Sequence, residues 1–379
     1  MPTSKFGASP PLAQLTPAQP VIGLSSVQKA YRSTLLRKLA EGEFAFEEMP
    51  SCLCGSTGGL SLAEHDRFGI PVGVLGCQEC GLLRTSPRLA AKDLPAFYES
   101  DYHGLHFGTD GPTAATALFR RGQGAAIWQF VSGELTARRT ADRLQVVEIG
   151  AGTGSVLREL AAAATADGIA VESVGCEYSS AYASAGRDQG TEIRAGGIET
   201  LVDTGLNPDL VIMSHVLEHF PDLLHDLQLV KNLAQPQTLV YVEVPGLLTI
   251  HTKPHYDYQF GRYLTLAHTY HFTLATLVEA MKRASFVFLR GDEEIRSLFG
   301  MASPIGPSQT TGVANESPRT VSRLSELQSY LRWLEHSPRM RARRAILRAV
   351  RMPGSLATRI ARRILGERGI SAVRRLLHG

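Results

Sequence analysis

No stretch of this 379-residue sequence is both apolar and uncharged over the roughly 20 residues that a bilayer-spanning helix needs. The first residues, Met-Pro-Thr-Ser-Lys-Phe-Gly, lack the apolar core of a secretory signal and run into a Pro- and Ala-rich stretch. Both absences point to a reducing, cytoplasmic setting. No internal repeat is visible, which argues against solenoid and propeller architectures. Cysteine is scarce, with five in all, and four of them (Cys52, Cys54, Cys77, Cys80) fall in one short segment. In a reducing compartment such clustering favours metal binding over disulfides. Cys176 stands alone in an apolar run and reads as a small core residue. From Ser317 to Gly379 there is no Lys and no Asp, against 15 Arg and three Glu. That segment carries +12, so the remainder of a chain with net charge +3 carries −9. The asymmetry suggests an anionic partner for the tail.

What is present is ample apolar material: 44% hydrophobic residues, enough for a large core and two or three units. Residues 1–23 read as a disordered lead-in and 24–50 as a helix, with Ser25 or Ser26 as cap and Tyr31, Leu35 and Leu39 on one face. The cysteine segment occupies 51–95, the main domain 96–300, and a linker with a basic helical tail 301–379. In the main domain, apolar strands are expected at Leu144 to Ile149, Val171 to Glu177, Glu192 to Ala195, Leu210 to Ser214, Leu239 to Val244 and Phe286 to Arg290. Helices are expected at Ser155 to Ala164 and Thr273 to Ala284. This alternation argues for βαβ units and an α/β fold with a doubly wound, mostly parallel sheet.

In such a sheet the ligand sits beyond the carboxyl ends of the strands. Val147-Glu148-Ile149-Gly150-Ala151-Gly152-Thr153-Gly154 ends the first strand and opens a helix. Gly150, Gly152 and Gly154 let a ligand approach the backbone closely. The spacing is G-x-G-x-G, and position 155 is Ser, so the dinucleotide fingerprint is broken. Glu148, immediately before the loop, would sit badly beside a diphosphate and well beside a cationic ligand. Glu177, ending the second strand, can accept hydrogen bonds from both hydroxyls of a ribose.

These residues resemble motif I of class I S-adenosylmethionine methyltransferases. Asp209-Leu-Val-Ile-Met-Ser-His-Val-Leu-Glu-His219 resembles the fourth-strand motif of their UbiG/UbiE-like branch, and the likeness covers roughly Leu144 to Arg290. It implies a Rossmann-like fold with S-adenosyl-L-methionine as cofactor. By resemblance, Glu148, Gly150, Ala151, Gly152 and Gly154 hold the methionine end, Glu177 the ribose, and Ser214 and His215 line the pocket. The family often carries an acid just after strand three; here the sequence is Ala195-Gly196-Gly197-Ile198-Glu199.

Cys77-Gln-Glu-Cys80 looks like one half of a zinc ribbon, and Cys52-Leu-Cys54 offers a tighter second half. The plain alternative is four reduced cysteines, some of them buried. An N-terminal cysteine ribbon followed by Gly-Leu, Ser-Pro-Arg and Phe97-Tyr-Glu-Ser-Asp-Tyr102 resembles a subgroup that includes sugar C-methyltransferases. In that subgroup the zinc is structural.

Methyl transfer requires an in-line acceptor and removal of its proton, for which a histidine is suited. His219 and His271 are the leading candidates, with Glu218 orienting or sharing the proton. Residues 246–267, rich in His and Tyr, suggest an acceptor-binding lid. His215-Val-Leu-Glu218-His219 also spells H-x-x-E-H, but the peptidase reading needs the motif inside a helix, and here it follows an apolar strand directly.

The expected activity is therefore methyl transfer to a small-molecule or carbohydrate acceptor: a sugar nucleotide, a glycan or a natural product. A non-catalytic cofactor-fold interaction protein and a nicotinamide oxidoreductase are the alternatives. In the tail, Arg359, Arg362 and Arg363 flank Leu356, Ile360 and Ile364 at helical spacing. Arg-rich stretches without interleaved aromatics argue against nucleic acid and lean toward an anionic membrane surface, at the inner face for a cytoplasmic protein. The membrane reading predicts that the full chain co-sediments with anionic vesicles and a tail-deleted chain does not. Equal sedimentation of the two would sink it.

Overall fold

The computed structural model describes residues 16–113, 120–138, 143–202, 204–302 and 324–351. Residues 1–15, most of the linker after 302 and the basic segment after 351, including Leu356, Arg359, Ile360, Arg362, Arg363 and Ile364, lie outside the described residues.

The chain opens on the helix Ser26–Ala40, capped by Ser25, whose hydroxyl accepts from Gln28 N while the Gln28 side chain returns to the Ser25 amide. Short strands follow: β1 (Phe46–Glu47), β2 (Leu60–Ala63), β3 (Val74–Gly76), β4 (Leu83–Thr85) and β5 (Arg88–Leu89). The helices Leu94–Ser100, Tyr102–Phe107 and Gln123–Arg138 lead into the main sheet. That sheet is built from β6 (Arg143–Ile149), β7 (Ala170–Glu177), β8 (Glu192–Ala195), β9 (Leu210–Ser214) and β10 (Leu239–Glu243). After the two-residue β11 (Tyr270–His271), it is completed by β12 (Phe286–Gly291) and β13 (Arg296–Met301).

The seven strands lie in the order β12-β13-β10-β9-β6-β7-β8. β6 to β10 are mutually parallel, while β13 runs antiparallel to both β10 and β12. The expected doubly wound, mostly parallel sheet is what forms. Both faces are buried, which is why its strands read as continuous apolar runs. Val147 and Ile149 of β6 face one core with the helices Leu223–Leu233 and Leu274–Arg283; Leu144 and Val146 face the other, with Gln123–Arg138 and Ser155–Ala166. The last strand, β13, is absent from the sequence reading. It forms a hairpin with β12 around Glu294 and Ile295, and its short polar-flanked run resembles a loop until the partner strand is in place.

The cysteine segment does not form a separate sheet. β2, β3 and β4 pair antiparallel, and the fourth strand of that sheet is β11, supplied from beyond residue 246. The helices Leu324–His336 and Pro338–Arg351 then pack on this junction. Leu324, Leu327, Leu331, Leu334 and Met340 share one core with Val74 and Leu83 of the cysteine segment and with Leu247, Ile250 and Tyr263. Much of the arginine here faces inward. Arg344 is buried and donates to the Leu334 and Glu335 carbonyls, Arg343 donates to the His251 carbonyl, and Arg351 pairs with Asp257. The first half of the basic segment is thus a packed element of the fold. Among the described residues no helix is long and apolar enough to cross a membrane.

Leu327 is 1% exposed in that shared core. Replacing it by Ala is expected to cost about 2–5 kcal/mol through lost burial and the cavity left behind. Thermal unfolding should show the fall in midpoint.

Candidate active site

The loop after β6 is shaped by its own packing as well as by any ligand. Gly150 and Gly154 both adopt the left-handed region, at φ +70° and +72°, where side chains other than glycine are strained. A Cβ on Gly150 would stand 2.7 Å from a Val216 methyl, and one on Gly154 2.6 Å from a Thr191 methyl. Ala151 is fully buried behind the loop, its amide donating to the Cys176 carbonyl. Gly152 N donates to one oxygen of Glu177 at 2.9 Å, and Ser179 N donates to the other at 3.0 Å. Glu177 is thereby fixed at the end of β7 beside the loop. Burial raises its pKa, against those backbone donors.

Glu148 is fully buried, and among the described residues neither carboxylate oxygen has a hydrogen-bond partner. Arg120 approaches it to 3.4 Å while donating to the Ser214 carbonyl at 3.0 Å. Burial pushes the Glu148 carboxyl up to about 7, opposed by Arg120. Gln123 joins Ser214 Oγ and Glu243 at 2.7 and 2.9 Å, closing a polar group at the ends of β9 and β10. Arg120, Gln123 and Glu243 were not among the residues expected from sequence. Glu243 ends an apolar strand, as Glu177 does, and that shared position was the available signal. Arg120 and Gln123 precede or begin a helix with no motif to mark them.

At the other side of the loop, Gly196, Gly197, Ile198 and Glu199 line the same cavity. Glu199 turns back to accept from Gly197 N at 2.9 Å, so the acid missing directly after β8 is supplied from within a 3₁₀ turn.

His215 follows β9 with φ +57°, an uncommon backbone for a non-glycine residue and one that turns it into the cavity. Burial acts to lower its pKa, but the proximity of the Glu218 carboxylate and the charge of Glu243 outweigh that, and the net shift is upward. Glu218 and His219 lie in the next 3₁₀ turn. His219 Nδ1 meets the Tyr98 hydroxyl at 2.9 Å, and its Nε2 faces Glu218 at 3.7 Å. His268 Nε2 approaches the same carboxylate oxygen at 3.9 Å, with its ring edge-on to His219. Burial lowers the pKa of His219 and of His268, favouring neutral imidazoles.

One cavity of about 1090 Å³ joins these groups. At one end are Gly150, Gly152, Glu177, Ser214 and His215; at the other are Tyr98, Tyr102, His219, His268 and Tyr256. The Phe97 to Tyr102 stretch lies in helices whose Tyr98 and Tyr102 wall this chamber. Lys253, His255 and Arg262 of the 246–267 insertion line it as well. His271 stands apart. It is 1% exposed in β11, does not line the cavity, and has its Nε2 3.3 Å from Thr85 Oγ1. Burial lowers its pKa to about 3.

The four cysteines converge, their sulfurs all within 4.8 Å of one another. Cys52 pairs with Cys80 and Cys54 with Cys77, each at 3.5 Å. Thiolates about 2.3 Å from a tetrahedral zinc stand about 3.8 Å apart, so the set fits the ion. The tight C-x-C half is accommodated because each half turns on a left-handed glycine, Gly55 after Cys54 and Gly81 after Cys80. The Cys80 thiol, donating to Cys52, is the main cause that lowers the Cys52 pKa to about 5. Cys176 is buried in the sheet, as expected of a core residue, and burial pushes its thiol up to about 12.

Residues 119–290 match a methyltransferase domain family. Among curated proteins no relative is found. Similar solved structures include an S-adenosylmethionine-dependent methyltransferase from Clostridium acetobutylicum ATCC 824, at 9% identity, 46% coverage of this chain and 90% of that one, and TM-score 0.35. The plantazolicin methyltransferase BpumL, in complex with SAH, is 13% identical over 64% of this chain and 89% of its own, with TM-score 0.39. The trans-methyltransferase CalH, also in complex with SAH, is 22% identical over 45% of this chain and 54% of its own, with TM-score 0.34. The chain carries a methyltransferase domain over residues 119–290.

Glu148 generates a pH dependence of stability. Between its ordinary value of 4.5 and about 7, the folded chain keeps a proton that the unfolded chain has released. Stability contributed by this residue therefore falls as pH rises through that window. The ligand-free Glu148→Gln protein should lose less thermal stability than the parent between pH 5 and pH 8. Parallel melting curves for the two would show that Glu148 is not the source.

Proposed function

We propose that this protein transfers the methyl group of S-adenosylmethionine to a small-molecule or carbohydrate acceptor held in the Tyr- and His-lined chamber. The observation that carries the reading is the cavity running from the glycine loop to His219, with Arg120 and Glu177 at one end and Glu218 at the other. When bound, the cofactor supplies an electrophilic methyl group on a sulfonium, and the sulfur keeps the electron pair of the broken C–S bond.

The chain's own residues divide the work. Glu148 offers a carboxylate without a donor, which suits the methionine ammonium, and Arg120 beside it suits the methionine carboxylate. Glu177, its outer lone pairs facing the cavity, suits the ribose hydroxyls. Ile198 and Glu199 suit the two faces of an adenine, one apolar and one accepting. His219 takes the acceptor's proton at Nε2. Tyr98 fixes the ring through Nδ1, and Glu218 stabilises the imidazolium that forms. His271 is given no part in the transfer and serves to bind β11 to the cysteine segment.

Cys52, Cys54, Cys77 and Cys80 hold a structural zinc in this reading, since four thiolates leave no position open for substrate. With that ribbon ahead of the catalytic domain, the chain resembles the UbiG/UbiE-like subgroup that contains sugar C-methyltransferases. A carbohydrate acceptor suits a chamber of tyrosines and histidines, which offer both stacking faces and hydrogen bonds. The segment after residue 351 remains the part proposed to meet an anionic membrane, because Arg343, Arg344 and Arg351 are engaged within the fold.

Calorimetry with S-adenosylmethionine should show binding to the parent protein and an affinity loss of about tenfold or more in Glu177→Ala, or about 1.4 kcal/mol. His219→Ala should bind the cofactor normally and turn over an accepted sugar nucleotide about 10²–10⁴-fold more slowly. Unchanged turnover in His219→Ala would remove that residue from the proposed step. Failure of the parent to bind the cofactor would remove the reading itself.

A further inference from the structure

Glu218 is 1% exposed, and among the described residues neither of its carboxylate oxygens has a hydrogen-bond donor. A bare carboxylate at that depth is costly unless a cation reaches it. The groups that face it are imidazole nitrogens: His219 Nε2 at 3.7 Å, His215 Nδ1 at 3.8 Å and His268 Nε2 at 3.9 Å. They come from different parts of the chain and all line the cavity. We propose that Glu218, His219 and His268 form a binding site for one divalent transition-metal ion at the floor of the acceptor chamber, distinct from the four-cysteine centre.

The ligand atoms of these three residues all lie within 4.8 Å of one another. Tetrahedral ligands about 2.1 Å from an ion stand about 3.4 Å apart, so the gaps to Glu218 close with a small rotation of each ring. The second shell is partly in place. His219 bonds Tyr98 through Nδ1 at 2.9 Å, which leaves Nε2 free to coordinate and holds its ring plane. Thr269 N donates to the Glu218 carbonyl at 2.7 Å, which ties the backbone beside His268 to the backbone of Glu218. Two imidazoles and one carboxylate select iron, cobalt, zinc or manganese over magnesium and calcium, and they leave coordination positions open. The open side faces the cavity that also reaches Gly150 and Gly152. An acceptor hydroxyl or enol oxygen taking an open position there would be held near the cofactor loop and made more acidic. With the ion bound, His219 Nε2 is a ligand and no longer takes the acceptor's proton, so His215, 3.8 Å from Glu218, replaces it as the base of the proposed transfer. The acceptor's part in this rests on the methyltransferase reading, whereas the metal site rests on the cluster alone.

Cobalt(II) loading of the reduced full chain, after metal removal, tests the site. The expected spectrum contains cobalt with weak ligand-field bands of nitrogen and oxygen ligation, at one ion per chain, beyond any cobalt with intense thiolate charge-transfer bands from the cysteines. Glu218→Gln and His268→Ala should each lose the thiolate-free ion, and an unchanged thiolate band in the variants would show that they are folded. Absence of thiolate-free cobalt from the parent, or its persistence in both variants, overturns the proposal. Calorimetry with S-adenosylmethionine on the same samples separates the two readings. Cofactor binding without thiolate-free cobalt sinks the metal site and leaves the methyltransferase standing.

Discussion

The backbone of Thr269 is the contact on which the rest of the site depends. Its amide donates to the Glu218 carbonyl at 2.7 Å, and its carbonyl accepts from the Thr85 amide at 2.9 Å. One peptide segment therefore ties the turn after β9 to the strand β4 of the cysteine segment. Thr85 Oγ1 reinforces the link by donating to the His268 carbonyl at 2.5 Å. The Tyr- and His-lined end of the cavity lies at this seam. His268 reaches it from the insertion, His219 from the main sheet, and Arg67 and Phe68 from the cysteine segment.

That seam places the four cysteines away from the cavity, none of them among its lining residues. They hold the turns that flank β3 and β4, and β4 in turn holds β11. A zinc ion in that set would act on the chemistry through register, by fixing where His268 stands, while touching no substrate. The C-terminal helices support the same junction from the far side, which explains why a segment so rich in arginine is partly buried. Its guanidinium groups satisfy carbonyls at helix ends and in the insertion, where a Lys ammonium would lack the planar fork needed to reach two at once.

The glycine-loop half of the cavity was legible in the sequence because it is local. Glu148, Gly150, Gly152 and Gly154 lie within one strand–turn, and Glu177 ends the next strand, so the βαβ geometry alone brings them together. The strands β6 to β10 were legible for a related reason, since burial on both faces writes an unbroken apolar run. β13 was not, because an antiparallel closing strand of six residues has no comparable signature. Arg120, Gln123 and Glu243 were missed because their common feature is proximity to Ser214, a property of the folded chain. His268 and His271 show the limit most sharply. They are three residues apart in the same motif-like stretch, and only one of them reaches the cavity.

The sequence by itself determined the class of fold, the glycine loop, the acid that ends β7 and the clustering of four cysteines. Each of these is encoded by residue type at short spacing, where chain geometry leaves few alternatives. The tertiary structure decided which histidines face the chamber, that β11 completes the cysteine sheet, and that Glu218 sits bare among three imidazoles. Those outcomes depend on pairing between segments up to about two hundred residues apart, as between Thr85 and the His268–His271 stretch. A strand two residues long carries too little pattern to announce its partner in advance.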